Sequence, residues 1–441
     1  MVSNGTLSFG LDGRLIQDGD VTLNDGSTVE FAFGEALEEG EQVTLIDAQS
    51  ITDNGVEIVD TSVLLDLEAN IDGDGNFIVE TVAADLVADP VAGLDANTQE
   101  FALAIGGAIA AAAPQVIANQ AAFQSAAIDD LTVLAPSLSG AATLGAYQLN
   151  DANLKLIRNQ YASGNAVTEL KNGIWIHGLS GNSEQDDQSG ITGFDADYDG
   201  FGIGYNAQLD KLRVGVAYTT SDSEISNNLS SPVDTDIDSD QITFYGDYQS
   251  GAWFLGGSLS YSDLEYDFNR ASTLSGVSAV SADTDGLLID ASLNFGYKLN
   301  GTLKGLTPIA GISYSSLDID SFNETGGAEL SNVNYDDVDR FRSELGLLFN
   351  TNHTYGSWSI APSLKLSWKH DFEDDATALT ADVGGVTFSQ IGNELESDVI
   401  NAGVGVSFAN DKGWNFRLDY QGEFASDEDS QFGSASVEYR F

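Results

Sequence analysis

Cysteine is absent from this 441-residue chain, and basic side chains are scarce, 16 against 69 acidic ones. The first absence removes any disulfide framework and any thiolate metal site. The second leaves a net charge of −53, which excludes nucleic-acid recognition, because that needs a basic face to replace the counterions around phosphates. Histidine is thin as well: His177, His353 and His370 stand far apart and supply little for a metal site or a catalytic triad. There is no Gly-x-Ser-x-Gly elbow, no His-Glu-x-x-His and no phosphate loop, so the expectation is a protein that is not an enzyme and uses no cofactor. Met1 is followed by Val-Ser-Asn-Gly, with neither a basic nor an apolar leader segment, and the chain reads as the mature or truncated end of something longer. Long apolar runs are missing too. Phe101 to Asn119 is mostly alanine and glycine, carries Pro114 and reads as a packed helix, not a spanning one. That test is blind to barrels, whose strands give a weak signal per segment. What is present, 42% hydrophobic and 10% aromatic residues, argues against disorder.

Three regions follow one another. In residues 1–92, short β-type runs such as Val43–Ala48 and Ser62–Leu67 alternate with turn signals. The turns are expected at Leu11-Asp12-Gly13, Gln17-Asp18-Gly19-Asp20, Asn24-Asp25-Gly26 and Asp72-Gly73-Asp74-Gly75-Asn76, where Asp-Gly pairs supply positive φ. The region reads as irregular rungs of a β-helix-like stub. Residues 93–165 turn rich in Ala, Gln, Asn and Leu, with helical spacing in Leu103, Ile105 and Ile109 and again in Leu131, Leu134 and Leu138. A last amphipathic helix is expected over Leu149–Tyr161, with Asn150 or Asp151 as N-cap and Lys155 and Arg158 near its negative C-terminal end. Residues 1–165 hold 25 acidic and 3 basic side chains, a net of −22, leaving −31 of the total −53 for the remainder. The acidity is spread over the whole chain.

From Gly173 to Phe441, within a barrel domain taken as residues 166–441, the pattern is long period-two alternation. Leu212, Val214, Val216 and Tyr218 share one face, and Arg213, Gly215 and Ala217 the other. Such runs match the roughly 9 to 11 residues that a tilted strand needs to cross hydrocarbon. About twelve antiparallel strands are counted, near 173–183, 198–208, 212–223, 238–249, 252–264, 284–299, 305–317, 338–351, 356–370, 395–409, 412–425 and 430–441. Short turns alternate with long acidic loops near 184–197, 224–237, 265–283, 318–337 and 371–394, as in an outer-membrane barrel with short periplasmic turns and long outer loops. The fold class is an all-β membrane barrel, its ends periplasmic because the strand count is even. Trp175, Trp253, Trp358 and Trp414 begin upward strands and Trp368 ends one, placing all five at membrane interfaces. Arg340, Arg342, Glu344, Lys365 and Arg417 fall on the wet, lumen-facing side. The competing fold is a soluble β-sandwich, which such uneven connectors disfavour.

The closing Val437-Glu438-Tyr439-Arg440-Phe441 alternates and ends on phenylalanine, and Asn172-Gly173-Ile174-Trp175-Ile176-His177-Gly178 opens the barrel. With Tyr198–Tyr205 and Leu212–Tyr218, these segments resemble the translocator domain of type Va autotransporters; Leu134-Ala135-Pro136-Ser137-Leu138-Ser139-Gly140-Ala141 resembles that family's linker, and residues 1–92 the last rungs of its passenger. The resemblance implies a twelve-stranded barrel in the outer membrane of a Gram-negative bacterium, with a luminal plug helix carrying Asn153, Lys155 and Arg158. It implies export of its own passenger to the cell surface. It further implies that Val437, Tyr439 and Phe441 form a signal read by the β-barrel assembly machinery. Expected partners are that machinery, outer-membrane lipid with lipopolysaccharide, and the passenger; the barrel is expected to act as a monomer. Some members cut their own linker beside an asparagine, and Asn150, Asn153 and Asn159 lie in that region, though asparagine also suits helix starts and polar faces. Asp72–Asn76 begins like a calcium loop but has Phe77 where a glycine is needed, so a turn is favoured. Two other functions fit parts of the pattern: a surface adhesin, in which the stub acts outside, and a simple diffusion pore.

Overall fold

A strand with an oily side and a wet side must bury one of them, and twelve such strands in sequence do so by closing on themselves. The computed structural model describes all residues except 11–12, 33–39, 61, 84–94, 127, 136–139, 163–171, 189–190, 228, 230–232 and 373–375. The barrel strands are β1 (Gly173–Gln185), β2 (Phe194–Leu209), β3 (Leu212–Asn227), β4 (Val233–Ser250), β5 (Trp253–Arg270) and β6 (Val280–Tyr297). They continue with β7 (Leu306–Ile319), β8 (Val338–Asn350), β9 (Trp358–Asp371), β10 (Asp398–Asn410), β11 (Trp414–Phe424) and β12 (Glu428–Arg440). Each pairs antiparallel with the next, and β12 pairs with β1 from Glu428↔Gln185 to Arg440↔Gly173, so the cylinder has no free edge.

Several strands run further than the sequence suggests. Segments 194–197, 224–227, 233–237, 265–270 and 280–283, expected as loop, are strand. Their acidic, Ser-rich outward positions look like loop composition, yet Ala196, Ile225, Ile237, Tyr266, Phe268 and Val280 keep a buried inner face in phase. The 371–394 loop is likewise structured: Ala376–Val383 and Val386–Glu394 form a hairpin that pairs with Ser331–Tyr335. Its two-residue turn, Gly384-Gly385, has φ of 56° and 82°, values that glycine adopts without strain.

The extensions carry an ordered charge pattern. The row Ile203–Tyr218–Ile242–Tyr261–Ile289 runs directly across five strands near the top of the oily band. Four residues beyond it, Asp199, Asp222, Asp238, Glu265 and Asp285 stand side by side; six residues beyond it stand Asp197, Glu224, Asp236, Asp267 and Asp283. All ten are exposed. These carboxylates lie outside the band, and partial burial together with the neighbouring carboxylates raises Asp222 and Asp236 above the ordinary range.

In the stub, Val2–Ser3, Leu15–Leu23 and Gln42–Asp53 stack in parallel, as do Thr6–Gly10, Thr28–Ala32 and Glu57–Asp60. Parallel strands from successive turns of chain are the geometry of β-helix rungs, and the first of the two sheets ends in antiparallel strands, Phe77–Ala83 and Leu65–Ile71. Val21, Leu23, Val29, Phe31, Leu45, Ile46, Phe77 and Val79 form its fully buried core. Gln17–Asp20 is not a turn: it lies inside Leu15–Leu23, where a register shift against Gln42–Asp53 absorbs the extra residues as a bulge. Asn24–Gly26 and Asp72–Asn76 do turn, with Gly26 and Gly75 at φ of 83° and 88°. The Asn76 side chain and surrounding backbone amides donate to Asp72 and hold its carboxyl below the usual range. The expected turn at Leu11–Gly13 lies mostly outside the described residues.

The helices are α1 (Ala96–Ala110), α2 (Pro114–Ile117), α3 (Gln120–Gln124), α4 (Ile128–Leu134) and α5 (Ala141–Ala162). The Phe101–Asn119 run is not one helix. Ala112 takes φ of 53° and Pro114 starts a new helix, as proline does. Phe101 packs on Phe388 of the hairpin, with ring centroids 5.6 Å apart, and Leu131 and Leu134 join the same apolar cluster as Tyr266 and Phe268. The helical segment therefore shares one core with the long connections and the inner wall at that end of the barrel. Leu138 and residues 136–139 of the linker-like segment are outside the described residues, as are the expected boundaries at 92/93 and 165/166.

Candidate functional site

Helix α5 occupies the lumen. Its 22 residues span roughly 33 Å at 1.5 Å per residue, about the thickness of a bilayer core. Its N-terminal half lies at the loop end, where the Tyr147 hydroxyl donates to the Val338 carbonyl at 2.6 Å and Gln148 donates to Glu428 at 3.0 Å. Its C-terminal half points to the turn end, where Ile157 packs with Trp175, Ala217 and Tyr245. The helix starts at Ala141, so Asn150 and Asp151 sit in its interior and neither is an N-cap. Small apolar residues from Ala141 to Ala146 extend it under the loop-end core without the polar alternation that marks the later turns.

One face of α5 makes neutral hydrogen bonds to the wall of β1 to β5. Gln241 donates to Asn150 at 2.7 Å, and Asn153 donates to Ser221 at 2.9 Å. The other face is charged. Asp151 lies 2.6 Å from Arg342 and 3.7 Å from Arg340, and both guanidiniums also hold Asp371, at 2.8 and 3.0 Å. Lys155 is 2.9 Å from Glu423, which also takes Lys369 at 2.6 Å. Arg340 stacks over the Tyr147 ring at 5.4 Å. In this low-dielectric interior the paired, hydrogen-bonded arrangement is what makes the charges tolerable.

On the wall, Arg340, Arg342, Glu344, Lys365 and Arg417 each make an ion pair. Arg340 and Arg342 meet the helix, whereas Glu344 pairs with Lys365 at 2.7 Å and Arg417 with Asp419 at 2.5 Å, both within the wall. Glu344, Lys365, Arg417, Asp419 and Arg158 line a cavity between the helix and the β6–β11 side. The partners that sequence reading missed are Asp151, Lys369, Asp371 and Glu423. Lys369 and Glu423 carry the right strand phase, but phase alone does not say which charge meets which. Among the described residues no cluster of His, Asp or Glu is arranged to hold a metal ion.

On the outside, Trp253, Trp358, Trp368 and Trp414 are exposed toward the lipid side, with Trp414 4.9 Å from Tyr439 and Trp253 5.5 Å from Tyr248. Trp175 is not an interface residue. It is fully buried in the lumen, stacks on His177 and donates to the Tyr245 hydroxyl at 2.8 Å. In β1 the outward phase belongs to Ile174 and Ile176, and the indole one position away must point in. Tyr439 and Phe441 are exposed on the outer surface and Val437 is half-buried opposite Ile176 in the closing pair.

Residues 174–421 match the family model described as Autotransporter beta-domain. Among curated relatives, Outer membrane protein A of Rickettsia rickettsii is 26% identical over 297 residues, covering 64% of this chain and 13% of its own length. An extracellular serine protease of Serratia marcescens is 26% identical over 281 residues, covering 61% of this chain and 26% of its own. The chain thus spans about a quarter or less of the length of these relatives. Among solved structures, the translocator domain of autotransporter NalP from Neisseria meningitidis aligns with TM-score 0.57 at 17% identity, over 70% of this chain and 100% of that one. The likeness covers the closed twelve-strand barrel. The chain belongs to the autotransporter beta-domain family, whose barrels reside in the outer membrane.

Proposed function

We propose a division of labour along the chain: residues 166–441 span the outer membrane, residues 93–165 link and plug, and residues 1–92 are the end of a passenger. One observation carries this reading. Helix α5 fills the lumen with its N-terminal half at the loop end, so the polypeptide before it emerges on that side. The parallel rungs of the stub support its assignment as passenger, and their backbone edges suit stacking with further rungs. The barrel acts as a conduit without catalysis, and the protease activity named for the Serratia relative stays with that protein.

Val437, Tyr439 and Phe441 serve as the signal for the barrel assembly machinery. The outer leaflet partner is lipopolysaccharide, and the barrel works as a monomer, a reading supported by a closed sheet that offers no strand edge for a second barrel to extend. Protease added to intact cells should cut the stub and leave the barrel whole. In planar bilayers the full chain should conduct little, and deletion of residues 1–165 should raise conductance severalfold. A stub protected in intact cells, or equal conductance with and without residues 1–165, would overturn the reading.

A further inference from the structure

Asp151, Lys155 and Arg158 are spaced i, i+4, i+7, which puts them on one face of α5, and the sign along it changes once, from negative at Asp151 to positive at Lys155 and Arg158. The wall opposite carries the complementary sequence of charge. Arg340 and Arg342 share a single carboxylate, Asp371, so this patch has one positive charge in excess, and Asp151 fills it. One helical turn further in, Glu423 accepts both Lys369 and Lys155. Beyond that, Arg158 lies within Coulombic reach of Asp290.

Moving the helix by one turn, about 5.4 Å, breaks this match in either direction. A shift toward the loop end brings Lys155 up to the Arg340–Arg342 patch, placing like charges together. A shift toward the turn end brings Asp151 against Glu423 and leaves Arg340 and Arg342 with Asp371 alone. Buried like charges are disfavoured far more strongly than exposed ones. The neutral face adds no such discrimination, because amides and hydroxyls bond equally well to many partners.

We propose that this charge ladder is a register latch: it fixes the depth at which the exported chain comes to rest, with Asp151 as the positioning residue. The proposal builds on the reading that α5 follows a passenger outward through the barrel. Slipped positions of the helix are rejected by charge, so the chain stops in one register even though the rest of the lumen would accept several.

The chain has no native cysteine, so introduced pairs report register directly. Ser221→Cys is combined singly with Leu149→Cys, Asn153→Cys or Ile157→Cys in the full chain, and the disulfide formed in outer membranes is read on gels. The parent register gives the 153–221 product alone. Asp151→Lys should lower that product at least tenfold relative to the 149–221 and 157–221 products, and Arg342→Glu added to it should restore the parent pattern. A folded Asp151→Lys barrel that still gives only the 153–221 product overturns the latch, as does slippage that Arg342→Glu leaves uncorrected. Where Asp151→Lys fails to show the folded band on unheated gels, Asp151→Asn serves in its place. It should spread the products over more than one pair, and a single 153–221 product would again overturn the proposal. Protease accessibility of the stub in the same cells separates the two readings: a stub exposed in the parent with register indifferent to charge refutes the latch alone, while a stub never exposed refutes export itself.

Discussion

The inward placement of Trp175 makes a sharp quantitative prediction. The indole is fully buried against Ile157, Ala217 and Tyr245, and its Nε1 donates to the Tyr245 hydroxyl, which itself donates to Asn206 at 2.5 Å. It also lies flat over Gly204 on the neighbouring strand, where an added Cβ would sit 2.2 Å from Cζ2. Trp175→Ala removes the largest side chain of this cluster and leaves a cavity that a closed sheet cannot collapse, which costs about 3–5 kcal/mol. Trp414→Ala instead removes an exposed ring whose main partner is Tyr439, and the aromatic contact is worth about 0.5–1.5 kcal/mol. Gly204→Ala should itself cost about 1–3 kcal/mol through overpacking against the ring. Combined with Trp175→Ala it should cost less than the sum, because the clash disappears with the indole. The assay is urea unfolding and refolding of the barrel in vesicles, followed by the band shift of unheated samples. Brominated lipid gives an independent readout: it should quench Trp253, Trp358, Trp368 and Trp414 and spare Trp175. If Trp175→Ala unfolds within about 0.5 kcal/mol of the parent, or if bromolipid quenches Trp175, the strand phase assigned to β1 is wrong.

Three further outcomes are expected. Asp371→Asn leaves Arg340 and Arg342 in the interior with too little negative charge and should destabilise the barrel by about 3–5 kcal/mol in the same unfolding assay, far more than an exposed Asp→Asn change. The two carboxylate rows place like charges directly opposite one another, each contact costing roughly 0.2–1 kcal/mol, so hydrogen exchange of the strand extensions should slow as salt rises from 10 mM to 1 M, at ionic strengths that shorten the Debye length from about 30 to 3 Å. Because Asp222 and Asp236 are raised in the fold, protonation favours the folded extension. Protection should therefore grow as pH falls from neutral into the carboxylate range, and Asp222→Asn with Asp236→Asn should flatten both dependences. Phe31→Ala in the fully buried stub core should cost about 3–5 kcal/mol and open the rungs to protease, while the barrel band shift stays unchanged.

The barrel was legible because alternation is a local signal: Leu212, Val214, Val216 and Tyr218 declare one face without reference to any other strand, and every second connection, such as Asp210-Lys211 between β2 and β3, is short enough to fix which strands are neighbours. Composition and phase point in different directions at the outer ends of the strands. The outer extensions look like acidic loops when residues are counted together, yet every second position, Ile225 or Tyr266 for instance, is buried. Trp175 is the opposite case: its residue type points to a membrane interface, but the phase that Ile174 and Ile176 state plainly puts it inside.

The site shows what a one-dimensional reading cannot reach. That Arg340, Arg342, Lys369 and Glu423 face inward follows from their strand parity, but their partners come from β8, β9, β11 and α5, and the angle at which a helix stands in a cylinder is set by packing around its whole circumference. Charge sorting across the molecule supplies the missing constraint. Of the 16 basic residues, Lys155, Arg213, Arg270, Arg340, Arg342, Lys369 and Arg440 are buried, while Lys211, Lys298, Lys304 and Lys412 lie exposed at the short turns. Basic residues are thus concentrated in the interior and at one end, and the carboxylate rows crowd the other. In a chain this acidic, an inward cation is a rare partner that any buried carboxylate must find, and a helix with Asp151 and Lys155 four residues apart meets that requirement at one depth.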